Sequence, residues 1–227
     1  MKKRASTFIV FLFCAIWGLQ AQRIEQTLEK GWKFYKGEVA GAETEYFDDS
    51  DWQTVTVPHD WAIYGPFNRN NDLQNVAITQ NFEKLASVKA GRTGGLPYVG
   101  VGWYRTTFNV VPEKQTTLIF DGAMSEAQVY VNGAKVCFWP SGYNSFHCDV
   151  TDFIHKDGKD NTLAVRLENK PLSSRWYPGA GLYRNVHVVT TEQTHVPTWG
   201  TQITTPYISE TFASVRLRTT IESADEK

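Results

Sequence analysis

Two alternating runs, Gln128-Val-Tyr-Val131 and Lys135-Val136, face each other across Asn132-Gly133. Asn-Gly favours positive φ at both central positions, the geometry of a two-residue hairpin. The pair therefore predicts two antiparallel strands and their register, and the chain around it repeats the pattern. Trp103 to Val110, Thr117 to Asp121, Ser145 to Val150 and Thr162 to Leu167 alternate apolar with polar residues, and Asp157-Gly158 supplies a further turn. Trp32 to Phe34, Asp51 to Val57 and Leu182 to Val189 do the same nearer the ends. Many short strands with almost no helical periodicity predict an all-β fold, a β-sandwich or jelly roll. The one helix-like stretch is weak, at Gln80 to Val88, within a long irregular segment from Pro58 to about Gly102. A loop of that length inside a compact domain is more often functional than idle.

The N-terminus reads differently. Lys2, Lys3 and Arg4 precede a short apolar run from Phe8 to Leu19, and Ala21 offers a cleavage point. Residues 1–21 are predicted to be a signal peptide, the run being too short to span a bilayer comfortably. The expectation is a periplasmic or secreted protein with no membrane partner. Cys14 leaves with the signal, while Cys137 and Cys148 remain where a disulfide is permitted. Phe146, Cys148 and Val150 share one face of an alternating run, which favours two buried thiols over a bridge. Residues 22–189 form the predicted first domain. Residues 190–227 read as a linker and two or three strands, too few to stand alone, and predict a second domain cut short.

Net charge is −1, so there is no electrostatic footprint for nucleic acid. Cys137, Cys148 and the five histidines show no zinc-ligand spacing, and no cofactor is predicted. Several of the eight tryptophans sit beside Gly or Pro, a pattern that fits carbohydrate handling. Arg175-Trp-Tyr177 is followed by Pro178, Gly179 and Gly181, which force an irregular backbone. On such a loop Trp176 can cover the apolar face of a sugar while Arg175 binds hydroxyls or a carboxylate. The same rings serve as well to plug one end of a sandwich. His59, Asp60 and Trp61, in Pro58-His-Asp-Trp61, are the other candidates. For these, too, a structural role stays open: Asp60 capping its own turn, His59 as a satisfied loop histidine.

Five motifs then fall in order: Trp52 with Val57-Pro-His-Asp-Trp61; Gly102-Trp-Tyr-Arg105 with Phe108; Val129-Tyr-Val-Asn-Gly133; Gly142-Tyr143 with Phe146 and Asp149-Val-Thr151; and Arg175-Trp-Tyr-Pro-Gly179 with Gly181-Leu-Tyr-Arg184. Over about residues 28–190 the chain resembles the N-terminal sugar-binding domain of glycoside hydrolase family 2, the β-galactosidase and β-glucuronidase family, most closely as found in Bacteroides-type gut bacteria. The resemblance implies a galactose-binding-domain-like jelly roll, then an immunoglobulin-like sandwich entered near Val196-Pro-Thr-Trp-Gly200, then a (β/α)8 barrel. The enzymes it resembles are retaining glycosidases whose two glutamates lie on the barrel. Their acid/base Glu follows an Asn, and no Asn-Glu pair occurs here.

The resemblance thus implies no catalytic residue in this chain. It implies the N-terminal portion of an exported β-galactosidase-like enzyme acting on a terminal β-linked sugar, with a C-terminal catalytic barrel as its missing partner. Asp60, Arg175, His59, Trp61 and Trp176 would be its substrate-binding residues. Arg175 stands where well-known members carry a substrate-contacting Asp, a departure that suits a uronate or a local ion pair. The alternative is a stand-alone carbohydrate-binding module without hydrolytic activity. Any magnesium or sodium dependence would belong to the other domains. Sugar identity, linkage and oligomeric state are not legible.

Overall fold

The computed structural model describes residues 23–68, 70–71, 74–76, 87–89, 98–170 and 179–223. The chain divides into two compact units, the larger of which is Glu25–Thr190. Its strands are β1 (Ile24–Thr27), β2 (Trp32–Lys36), β3 (Gln53–Val55), β4 (Gln74–Val76), β5 (Ser87–Lys89), β6 (Gly100–Phe108), β7 (Gln115–Phe120), β8 (Ala127–Val131), β9 (Ala134–Trp139), β10 (Phe146–Asp149), β11 (Asn161–Asn169) and β12 (Val186–Thr191). A four-stranded sheet in the order β1-β12-β7-β10 and a six-stranded sheet in the order β3-β2-β6-β11-β8-β9 enclose one core. β4 and β5 form a separate antiparallel pair. This is the all-β sandwich that the alternation predicts.

The Asn-Gly hairpin forms as read. Asn132 has φ 50° and Gly133 φ 85°, and β8 pairs β9 antiparallel with Val131 opposite Ala134. Asn132 does more than turn the chain. Its Oδ1 accepts from the Thr162 backbone at 2.8 Å, and its Nδ2 donates to the Phe153 carbonyl and to Asn161 Oδ1, each at 2.8 Å. The tip of one hairpin is thereby fixed to the entry of β11.

Period two places Val129, Val131, Leu163, Val165, Leu167, Tyr104 and Phe108 between the sheets. The opposite face of β6 and β11 is not left to solvent. Trp103 and Ala164 pack there with Ala42 and Trp52, and Val39 and Phe47 close over them. Both faces of β6 are covered, so residues 102–106 are buried without interruption. At the centre of this outer layer Arg105, 3% exposed, forms an ion pair with Asp49 (Nε to Oδ2, 2.8 Å). Its Nη1 also donates to the carbonyls of Ala42 and Thr44 at 2.5 and 2.9 Å.

Three expectations change. Cys137 on β9 and Cys148 on β10 are joined in a disulfide, with Cα atoms 6.1 Å apart. The strands lie at the edges of different sheets, so the bond ties the two layers together, which alternation within one strand does not report. The last strand begins at Val186 rather than Leu182, because Gly181 is held in a bridge to Met124 and bends follow it at Leu182 and Arg184. Ser87 and Val88 belong to a strand, not a helix, while most of the helix-like stretch, 80–86, lies outside the described residues.

The smaller unit includes the residues from Thr191 on. It contains the hairpin β13 (Thr201–Ile208) and β14 (Ala213–Thr219), with an irregularity in register between Thr204 and Tyr207. A bridge between His195 and Glu222 extends the pairing. Residues 1–22, the predicted signal peptide, lie outside the described residues. Among the described residues no helix is long and apolar enough to cross a membrane.

Candidate functional site

The Pro58-His-Asp-Trp61 turn follows a cis Val57–Pro58 peptide bond and opens into a single turn of 3-10 helix at Trp61–Tyr64. Asp60 caps it, with its Oδ1 accepting from the Ala62 backbone at 2.9 Å. A short polar side chain at this position satisfies an amide that no carbonyl of the helix reaches. We expect Asp60→Ala to lower stability by about 1 kcal/mol, with Asp60→Asn close to wild type because the acceptor survives. Thermal melts of both variants check this, and equal losses would show that the charge matters rather than the cap.

His59 is held on three sides. Its backbone N–H donates to the Leu182 carbonyl at 2.7 Å, its ring meets Phe34 edge-on with centroids 4.9 Å apart, and its Nδ1 lies 2.7 Å from the Tyr104 hydroxyl. Burial pushes the Tyr104 phenol well above its ordinary pKa, so the phenol keeps its proton. The Tyr104 hydroxyl also lies 3.3 Å from the His59 carbonyl. The single hydroxyl proton serves either the ring nitrogen or the carbonyl, and the tautomer of the ring follows from which it serves. Burial also lowers the His59 pKa, with Lys36 acting in the same direction and Asp60 opposing. The imidazole is therefore biased toward its neutral form.

Trp61 occupies a different place. It is 1% exposed and stacks on Phe34 with centroids 5.5 Å apart. Gly102 makes the room, since a Cβ there would come within 2.5 Å of the indole ring. Trp61 is buried in the core, not exposed at a rim.

Arg175 and Trp176 lie outside the described residues, but the chain that follows them is well placed. Gly181 exchanges backbone hydrogen bonds with Met124 at 2.9 and 3.1 Å. Its φ is +86°, and a Cβ would overlap the Tyr104 hydroxyl and come within 2.5 Å of the His59 carbonyl. Only glycine fits. A Cβ at Gly179 would lie 3.4 Å from Asp60 Oδ2, and the Gly179 carbonyl accepts from Asn169 Nδ2 at 2.8 Å. Two stretches far apart in sequence thus meet: His59-Asp60, and Gly179 with Gly181, which follow Arg175 and Trp176 in the chain. Tyr104 and Asn169 position them. The tyrosine reads in sequence as scaffold, because nothing in an alternating strand says that a hydroxyl reaches a loop histidine 45 residues away.

The family model for the glycosyl hydrolases family 2 sugar-binding domain matches residues 26–192. The chain belongs to glycoside hydrolase family 2. It is 36% identical over 212 residues to a β-galactosidase of Bacteroides ovatus, covering 92% of this chain and 23% of that one. It is 28% identical over 204 residues to a β-glucuronidase of Bacteroides fragilis, covering 85% and 24%. Among solved structures, a β-glycosidase from Bacteroides vulgatus superposes with a TM-score of 0.76 at 28% identity, over 90% of this chain and 25% of the other. Bacteroides uniformis β-glucuronidase 2, covalently bound to cyclophellitol-6-carboxylate aziridine, gives 0.71 at 29% identity, over 90% and 23%. The chain therefore spans about a quarter of the length of these relatives, the part that holds the sugar-binding domain. Among the described residues of this family 2 domain, no group of three or more His, Cys, Asp or Glu is placed to share a metal ion.

Proposed function

We propose that this chain is the N-terminal portion of an exported retaining β-glycosidase, β-galactosidase-like, and that it supplies substrate-facing loops to a catalytic barrel. The observation that carries the reading is the seating of Gly179 and Gly181 against His59 and Asp60. It brings the glycines that follow Arg175 and Trp176 in the chain to a histidine and a carboxylate. Export is supported independently by the Cys137–Cys148 disulfide, a bond that persists in oxidising compartments. In this reading the glutamate pair belongs to the barrel, while Arg175 and His59 orient the terminal sugar.

The test takes the complete coding frame beyond the Lys227 codon and compares its product with residues 22–227 alone. The complete protein is expected to hydrolyse an aryl β-galactoside, and the short chain to give no turnover. In the complete protein Arg175→Ala is expected to lower kcat/KM about tenfold or more, through loss of a charge-assisted contact to the sugar. Turnover by residues 22–227 alone, or a complete protein inert on both β-galactosides and β-glucuronides, overturns the reading.

A further inference from the structure

Three consecutive residues, Met124, Ser125 and Glu126, hold the chain on both sides of residues 171–178. Met124 and Gly181 exchange backbone hydrogen bonds at 2.9 and 3.1 Å. The Ser125 carbonyl accepts from the Glu168 backbone at 2.8 Å, and the Ser125 hydroxyl donates to the Glu168 carbonyl at 2.8 Å. Glu126 forms an ion pair with Lys170, Oε2 to Nζ, at 3.2 Å. Asn169 joins the two sides directly, its Nδ2 donating to the Gly179 carbonyl at 2.8 Å across ten residues of chain. It is 3% exposed and ends β11 opposite Gly100 of β6.

These contacts differ in weight. The Glu126–Lys170 pair is open to solvent and contributes little. Loss of the Asn169 amide leaves the Gly179 carbonyl without that donor in a buried setting, the expensive case for a hydrogen bond. The Ser125 hydroxyl serves a carbonyl just past Arg166–Gln128, the last pair in the β8–β11 register. Together they fix where residues 171–178 start and end. The far end is the one that meets the candidate site, with Gly179 against Asp60 and Gly181 against His59. A side chain carried between two fixed ends covers fewer positions than one between free ends, and a displacement of about 1 Å at a reacting site is costly.

We propose that Asn169 and Ser125 are positioning residues for the substrate contact that the reading above gives to Arg175. They act by fixing the ends of the stretch that carries it, without touching the sugar themselves. The inference rests on that reading and adds to it which residues hold the contact in place.

The test uses the product of the complete coding frame and reads kcat and KM on the aryl β-glycoside it hydrolyses, with thermal melts to show which variants fold. Asn169→Ala is expected to lower kcat/KM about fivefold and Ser125→Ala about threefold, each mainly through KM. Asn169→Asp, with the same shape but an acceptor in place of the donor, is expected to do no better than Asn169→Ala, whereas Ser125→Thr keeps the hydroxyl and stays near wild type. Combined with Arg175→Ala, Asn169→Ala is expected to add no further loss, because the contact it positions is already gone. A further loss of about fivefold in that double variant overturns the assignment and makes Asn169 a support of the fold alone. Wild-type kcat/KM in Asn169→Ala and Ser125→Ala, or in Arg175→Ala, overturns it as well, while hydrolysis leaves the glycosidase reading standing. Trypsin supplies a readout that needs no glycosidase activity: it cuts after Arg175, and Asn169→Ala is expected to quicken that cut about fivefold. An inert complete protein sinks the glycosidase reading, and an unchanged cut rate sinks the clasp, whichever way the other falls. Should Asn169→Ala fail to fold, Ser125→Ala carries both tests.

Discussion

Replacing Arg105 with Met is expected to cost this domain about 3–5 kcal/mol, because a buried donor that serves two backbone carbonyls and a carboxylate is lost at once. The guanidinium reaches across from the sheet to Ala42, Thr44 and Asp49 together. Methionine fills a similar volume, so packing is largely kept while the polar partners lose their donor. Ala42 is 0% exposed, and water cannot readily replace that donor at its carbonyl. A buried acceptor left unsatisfied costs about 1–3 kcal/mol. Against a total stability of about 5–15 kcal/mol for a domain, the loss takes a large share. Urea unfolding followed by tryptophan fluorescence reads it, since Trp52 and Trp103 lie in the layer that opens.

Two companion variants separate charge from geometry. Arg105→Lys keeps the charge but lacks the planar fork that serves several acceptors at once, and is expected to lose about half as much. Asp49→Asn is expected to lose only about 1 kcal/mol, because the Asp49 side chain is 28% exposed and solvent shares its load. A loss below about 1 kcal/mol for Arg105→Met would mean that residues 38–51 cover the sheet without contributing to its stability.

Arg105 also marks where reading the sequence stops. The sequence places it in a strand, Trp103 to Val110, and the stretch from Glu43 to Asp51 is acidic and loop-like. Both statements are locally true, yet the loop folds back and its carbonyls meet the arginine. The clue lay in Phe47 and Trp52, two large rings that a solvated loop has no use for, and in Trp103 on the same face of β6 as Arg105. The strands and the Asn132-Gly133 turn were legible because period and turn chemistry are local. His59 and Asp60 were legible as a motif. Their placement was not, since it rests on Tyr104, Asn169 and Gly181, each from another element. The disulfide was misread for the same reason: burial of Cys148 is compatible with a free thiol and with a bridge, and only the spacing of the two sheets decides.

That bridge carries the other large effect. Cys137 and Cys148 are 11 residues apart, and closing a loop of that size removes unfolded-state entropy worth about 2–3 kcal/mol at 25 °C. Reduction is expected to lower Tm by about 5–10 °C for a domain of this size. Cys137→Ala with Cys148→Ala should melt at least as low, because trimming a side chain as buried as Cys148 adds a packing loss. Its Tm should also be indifferent to reductant, which separates the bond from any other action of the reagent. The melts are paired with alkylation and mass spectrometry of the unreduced protein, where neither cysteine should be modified. Full alkylation of both, with a Tm that ignores reductant, would show that the edges of the two sheets are held by packing alone. The predicted route of the chain makes the effect matter. Protein made in a reducing cytosol is expected to melt at the reduced Tm, and protein recovered from an oxidising compartment at the higher one, so the same measurement on the two preparations reports where this sandwich is built to work.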